Sequence, residues 1–303
     1  MPTIIDIPGA VLNGDQITRL SNFGKIYLFD TIGSTQDYAK KLARSVFNPD
    51  KDNDNQIYLR SVVIANKQTA GLGQRGANWF SSEQGLHFSI LLAYPNKYKT
   101  IPIWTMLTAK IIAEAIEHLH KVPIFIKWPN DLVCLQNETN AFRKIGGILS
   151  EIKSSGGLFH KTGDYTNIIL GIGININQNA FPPEFSQATS LKQELIQSRN
   201  LNQELNRGEI LYKIIESMEK NLLTYETLAK DATDNALKMS VLDEIKQRSI
   251  VIGKKVTVNR KSGSVSGNVL DIDEHGRLVI RTDATRIVTI DSGHVIQINN
   301  TLK

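Results

Sequence analysis

One cysteine, Cys134, in 303 residues excludes an internal disulfide framework and a thiolate zinc cluster, and it fits a reducing compartment. No apolar run reaches the roughly 18 residues needed to cross a bilayer. The opening MPTIIDIPGAVLNGD has neither a basic leader nor a long apolar core, so no signal peptide is expected. The expectation is a soluble, cytoplasmic protein. Histidine is scarce as well. His118 and His120 stand two apart in a helical stretch and face different directions, and the other four are scattered, so no zinc pair is expected. Nor is charge of one sign concentrated: the net +5 is spread along the chain, without the basic patch or stripe of a nucleic-acid binder. Neither nucleic acid nor a membrane is expected as a partner.

What is present is ordinary globular composition, 41% hydrophobic and 21% charged, in a chain long enough to bury roughly three-quarters of its unfolded surface. Residues 25–30, 58–65 and 86–93 read as strands, and 37–46 as a helix capped by Ser34 or Thr35. Residues 103–120 repeat their apolar positions every three to four residues, the mark of an amphipathic helix. Short strands follow at 123–128, 132–135, 144–152 and 167–176, a meander that predicts a largely antiparallel sheet with helices on one side. Residues 200–247 are helical in pattern. Beyond about 249 the chain turns to short alternating segments punctuated by Ser262-Gly263, His275-Gly276 and Ser292-Gly293, which suggests a small barrel. Two domains are expected, 1–248 and 249–303.

The glycines carry most of the functional information. Gly71-Leu72-Gly73-Gln74-Arg75-Gly76 spells the dinucleotide fingerprint, but a polar spacer precedes it and a poor helix former follows. That context is wrong for a nicotinamide site; a loop whose amides wrap phosphate remains open, beside a plain surface loop. Two strands are interrupted by glycine, at Gly146-Gly147 and at Gly171 and Gly173. Glycine in a strand marks either a close-lying ligand or a bulge or tight backbone contact, and the period of two bares one face. Between apolar strands lies Lys127-Trp128-Pro129-Asn130-Asp131, where Pro129 enforces a turn that brings Asn130 and Asp131 to the sheet's end.

Taken in order, GST (33–35), NKQTAGLGQRGANWFS (66–81), KWPNDL (127–132), RKIGGILSE (143–151) and GIGININ (171–177) resemble the biotin–protein ligases, from about residue 25 to the C-terminus. The resemblance implies an α+β fold: a mixed, largely antiparallel sheet with helices, similar to the biotin/lipoate ligase and class II aminoacyl-tRNA-synthetase core, plus a C-terminal SH3-like β-barrel. It implies ATP and biotin as substrates with Mg²⁺, a biotinyl-5′-AMP intermediate, and a biotin carboxyl carrier protein as acceptor. Family members occur as monomers or homodimers.

Residue by residue, the resemblance implies that Ser34, Thr35 and Gln68 meet the biotin ring system, with Gly71, Gly147, Gly171 and Gly173 shaping its slot. Lys144 would reach the biotin carboxylate and the phosphate. Gly73, Gln74, Arg75 and Gly76 would wrap phosphate, with Asn78 and Trp79 toward adenine and Asn130 and Asn175 as further nucleotide contacts. Asp131 would either orient the acceptor lysine or hold Mg²⁺, and Lys144, Asp131 and Arg75 form the catalytic set.

The sequence departs from the family where its loop usually reads G-R-G-R: Leu72 and Gln74 replace both arginines, and neither forks onto phosphate. A non-catalytic biotin- or nucleotide-binding module with a decayed loop is therefore one alternative. A lipoate–protein ligase is another, although its Arg-Arg-x-Ser-Gly-Gly-Gly pattern is absent. A biotin-responsive repressor needs a helix-turn-helix, and the 33 residues before Ser34 are too few for one; a stand-alone ligase is expected.

Overall fold

The computed structural model describes residues 14–20, 24–44, 58–95, 104–136, 141–154, 165–229, 235–283 and 285–299. Its larger sheet has seven strands: β1 (Lys25–Ile32), β2 (Tyr58–Gln68), β3 (Gly85–Pro95), β4 (Phe125–Lys127), β5 (Asp131–Leu135), β6 (Phe142–Ser154) and β7 (Tyr165–Asn175). The order across the sheet is β1-β2-β3-β7-β6-β5-β4. Only β1 and β2 pair in parallel; the other five pairings are antiparallel. Helix α2 (Thr35–Leu42) makes the crossover between β1 and β2, as a parallel pair requires.

Alternation along the strands sorts the two faces. On β7, Ile168, Leu170, Ile172 and Ile174 join Leu86, Phe88, Ile90 and Leu92 of β3 in the main core. That core is closed by α1 (Gly14–Leu20), α3 (Trp104–His120), α5 (Arg207–Lys220) and α7 (Asn235–Gln247). The intervening residues, Ile169 with Val63 and Leu91, face the other way and pack under Ala39 and Ala43 of the α2 segment. Helices thus cover both faces, not one as the meander pattern predicted. Because α2 is short, it covers only part of its face: Gly171 lies against Gln36 in its first turn, and Gly173 is met by Trp79 instead.

Helices α4 (Leu191–Arg199) and α6 (Leu222–Ala229) are the other α-helices among the described residues. The sequence pattern omitted α1 and α4, short helices whose apolar periodicity covers barely two turns. The anticipated turn around 136–143 and loop at 154–165 fall mostly outside the described residues.

The C-terminal part is a five-stranded antiparallel sheet of β8 (Lys255–Arg260), β9 (Gly263–Ile272), β10 (Leu278–Arg281), β11 (Ile287–Ile290) and β12 (His294–Asn299), ordered β11-β10-β9-β8-β12. It is tied to the larger sheet. Ile126 exchanges backbone hydrogen bonds with Arg248 and Ile250 (2.8 and 3.0 Å), Trp128 donates its indole N–H to Gly276 O (2.9 Å), and Arg248 forks onto Glu117 at 2.7 and 2.8 Å. Val256, Val258, Val269 and Val295 belong to the same contiguous core as the helices and the large sheet.

Candidate active site

The bare end of the α2 face is a slot, and strand register explains its floor. Asp131 on β5 pairs with Gly147 on β6, Gly147 with Gly173 on β7, and Gly173 with His87 on β3. Leu149, Gly171 and Ser89 form the next row on the same face. Paired residues point to the same side of a sheet, so two glycines two residues apart on β7 open a strip flanked by side chains of its neighbours. Both glycines are demanded by space: a Cβ at Gly171 would run into the Gln36 amide, and one at Gly173 into the Trp79 indole.

One end of the slot is a polar network. Ser34 caps α2, its Oγ accepting from Asp37 N at 3.3 Å. Gln68 Oε1 accepts from Thr35 N at 2.9 Å and from Thr35 Oγ1 at 3.2 Å. A backbone N–H can only donate, so this assigns the amide orientation and leaves the Gln68 nitrogen, a donor, on the side of Gly71. Behind it, Thr35 Oγ1 meets Ser89 Oγ (2.9 Å), and the buried Gln36 bridges Ser89 Oγ (3.2 Å) to Glu151 Oε2 (2.9 Å).

The other end carries the charge. Strict alternation would send Lys144 and Gly147 to opposite faces. A register shift between Leu132 and Val133 pairs Val133 with Lys144 and skips Ile145, so both reach the slot. Lys144 is pinned by its backbone, which donates to Gln187 O and accepts from Thr189 N, both at 2.8 Å. Its ammonium sits 2.5 Å from the buried Asp131 carboxylate and 5.7 Å from the centroid of the Trp79 ring. Asn130 fastens the preceding turn by donating to Ile148 O at 2.8 Å.

The structure therefore brings Ser34, Thr35, Gln68, Gly73, Gln74, Trp79, Asn130, Lys144, Gly147, Gly171 and Gly173 to one slot. Others of the expected set stand apart from its lining. Gly71 lies behind the wall, accepting from Trp79 N at 3.0 Å. Arg75, at φ 58°, is exposed and donates to Asn259 O on β8 at 3.0 Å. Gly76 and Asn78 are exposed, and Asn78 pairs with Leu72 across the loop. Asn175 is buried and holds Thr189 O at 3.0 Å. Trp79, expected on the adenine side, rests on Gly173 among the residues expected to meet biotin.

Asp131 opens onto a second, wider cleft, of about 740 Å³, bounded by Lys127, Lys144, residues 184–188 and His294 and Ile296 of β12. The slot itself has about 50 Å³ free, room for a few waters, so a ligand must displace part of the 71–79 loop. Burial lowers the Lys127 ammonium below its usual range, with Lys144 adding to the effect and Asp131 opposing it. His294 is lowered by burial and then by Lys127. Sequence reasoning passed over Gln36, His87, Ser89, Lys127 and His294. For His87 and Ser89 a signal existed: polar residues at alternate positions of an otherwise apolar strand.

Residues 29–175 match the Biotin/lipoate A/B protein ligase family, and residues 251–296 match the Biotin protein ligase C terminal domain. The bifunctional ligase/repressor BirA of Bacillus subtilis is 29% identical over 258 residues, covering 84% of this chain and 68% of that protein. The biotin–[acetyl-CoA-carboxylase] ligase of Mycobacterium tuberculosis is 27% identical over 276 residues, covering 88% and 86%. Among solved structures, the biotin protein ligase of Aquifex aeolicus in complex with biotin and ATP superposes with a TM-score of 0.66 at 25% identity, covering 91% of this chain and 99% of the other. Both sheets and the ordered motifs between them thus agree with one assignment, and the chain belongs to the biotin protein ligase family.

Proposed function

We propose that this chain is an ATP-dependent biotin–protein ligase that joins biotin to ATP and passes it to a lysine of a biotin carboxyl carrier protein. One observation carries the reading: a slot floored by Gly171 and Gly173 runs from the polar end at Thr35 and Gln68 to the Lys144–Asp131 pair. A neutral bicyclic urea suits the polar end, and a carboxylate on an apolar tail suits the ammonium.

In the first step a biotin carboxylate oxygen attacks the α-phosphorus of ATP, and pyrophosphate leaves with the electron pair of the broken P–O bond. Two anions must meet, and Lys144 supplies the compact positive charge that quiets their repulsion and follows the charge into the transition state. In the second step the uncharged ε-amine of the acceptor lysine attacks the mixed anhydride carbonyl; AMP leaves, and the amine proton is lost. Asp131 stands at the mouth shared with the wider cleft, where it would receive or orient that amine. The same cleft, with Lys127 and Lys144 on its wall, suits phosphate oxygens and gives the carrier its approach. Mg²⁺, which neutralises phosphate charge when bound, would take its oxygens mostly from the nucleotide and water. Asp131 is the carboxylate at hand, and the described residues hold no cluster of three ligands.

Residues 1–248 are read as the catalytic part, with ligand and ATP sites, and 249–303 as a small domain of the SH3-like kind. No helix among the described residues is long and apolar enough to cross a membrane, consistent with work in the cytoplasm.

Incubation with ATP, biotin and a biotin carboxyl carrier domain tests the proposal. The expected result is pyrophosphate release without acceptor, and with acceptor a mass gain of one biotin on one lysine. Biotin bound without either event would convert the reading to the non-catalytic module.

A further inference from the structure

His87 is fully buried on β3 and belongs to none of the expected catalytic or binding residues, yet it occupies the same cross-sheet row as Gly173, Gly147 and Asp131. Its ring is enclosed on the side of Gly85, where a Cβ would lie 2.7 Å from His87 Cε1 and 2.8 Å from the Gln178 amide nitrogen. Both ring nitrogens are engaged. Nε2 lies 3.0 Å from Ser82 O, and Nδ1 lies 3.3 Å from the indole nitrogen of Trp79. A carbonyl oxygen only accepts and an indole N–H only donates. The ring must therefore carry its hydrogen on Nε2 and keep Nδ1 bare, a single neutral tautomer.

Trp79 is what this tautomer holds. The indole rests against the α-carbon of Gly173, with the Lys144 ammonium over its ring, so its position defines one wall of the slot. The wall stands at the stem of the loop that has to lift for a ligand to enter. On the Trp79 side the backbone is tied through Trp79 N to Gly71 O (3.0 Å) and the Leu72–Asn78 pair, both within the loop, while Thr69 N and Ala70 N anchor the opposite side of the stem to Ile32 O (2.9 Å) and Gly33 O (2.8 Å). His87 is the tie from the Trp79 side chain to the rigid sheet.

We infer that His87 is a positioning residue: as the Nε2–H tautomer it holds the Trp79 indole on Gly173, so that Leu72–Gly76 can open while the wall against the bound ring system stays in place. The inference rests on the proposed biotin slot. Burial supports the neutral form, pushing the imidazole down to about 4, with the Arg207 charge acting in the same direction.

The test pairs steady-state kinetics with a ligand-free measurement. His87→Phe fills the ring's volume without an acceptor, and His87→Asn returns an acceptor near Nδ1. Loss of one buried hydrogen bond corresponds to roughly a three- to tenfold effect. His87→Phe is expected to raise the biotin KM by about that factor with kcat changed less than about twofold, and His87→Asn to recover most of it. In a Trp79→Phe background, which keeps an aromatic wall but lacks the N–H, His87→Phe should add little, because partners in one interaction are not additive. An unchanged KM in folded His87→Phe, or the same penalty in both backgrounds, overturns the inference. In the wild-type chain without ligand, nitrogen NMR should show His87 with Nε2 protonated, Nδ1 bare and the Trp79 indole proton protected from exchange. The opposite tautomer or an unprotected indole overturns it even where a variant does not fold. If the wild-type chain bound no biotin, the slot reading would fail, while the tautomer and the indole proton would still decide whether His87 holds Trp79.

Discussion

The slot has two walls built in different ways. One is sheet: Lys144 is bonded through its backbone to residues 187 and 189, Asp131 is buried, and Gly147 and Gly173 sit in continuous register. The other is loop: Arg75 and Gly76 are exposed with φ of 58° and 79°, and Gly73 is held by one hydrogen bond to Ala77 O (2.7 Å). Groups that must meet a reacting centre within a fraction of an ångström belong on rigid elements. Segments that open and close come from the low-stability end of a structure. The departures from the family pattern, Leu72 and Gln74, fall on the second wall, where a changed side chain disturbs least.

The largest effect that would break this division is on the sheet wall. Lys144→Ala should slow pyrophosphate release by about a hundred- to a thousandfold, the usual range for removing one preorganised group from a developing charge. Biotin affinity should fall much less. Release within a few fold of wild type would mean that the charge comes from elsewhere, Lys127 or Arg75 first. Because the variant leaves Asp131 buried without its 2.5 Å partner, its melting temperature must be measured beside the rate.

Rigidity through desolvation has a pH signature. The folded His87 pKa lies near 4, below the unfolded value of about 6.5, so between those values the unfolded chain binds a proton that the folded one does not. Stability is full above about 6.5 and falls as pH drops toward 4; His87 alone should cost about 2 kcal/mol at pH 5 relative to pH 7. His120 and His294, both lowered first by burial, act in the same direction. Denaturant unfolding at the two pH values, for the wild type and His87→Asn, separates the shares. An identical loss in both proteins would show that His87 titrates freely and that its end of the wall is wet.

The sheet wall was also the legible one. Glycine at 171 and 173 announces a bared strip because strand side chains have a period of two. Lys127–Asp131 announces a turn because Pro129 cannot continue a ladder. What stayed hidden was made by distance in sequence. The skipped Ile145 that turns Lys144 toward Gly147 depends on pairing with β5, and His87 gains its meaning only when β3 is placed beside β7. The family resemblance implies a phosphate ligand at Arg75; its partner here, the Asn259 carbonyl, lies on β8, 184 residues away. The crossover helix α2 was visible as a helix, but its place on the opposite face followed from β1 and β2 being parallel.

A smaller effect sharpens the comparison from the slot's floor. Gly173→Ala puts a methyl where the Trp79 indole lies, and the indole cannot retreat while His87 holds it. The biotin KM should rise about tenfold, near the cost of a moderate overpacking, with the circular dichroism spectrum unchanged. Gly147→Ala is the control: its Cβ would sit 3.4 Å from Lys144 Nζ, an ordinary contact, so the penalty should be several times smaller. Equal penalties would show that the floor is uniformly tight and that Trp79 plays no special part.

The smallest expected effect belongs to the loop. Arg75 donates to the β8 carbonyl of Asn259 at 3.0 Å, so it must break that bond before it can reach a phosphate. An exposed neutral acceptor of this kind is worth about 1 kcal/mol, and what Arg75 gains on turning inward is offset by what it gives up. Arg75→Ala should therefore change pyrophosphate release by only a few fold. It should also speed protease cleavage at 71–76 in the ligand-free chain, since the contact with β8 is one of the loop's few restraints. Adding biotin and ATP should slow cleavage in the wild type by closing the loop over the slot. If the variant lost activity as heavily as Lys144→Ala, the loop would be part of the catalytic wall, and the Arg75–Asn259 contact would be a resting state that ligands break.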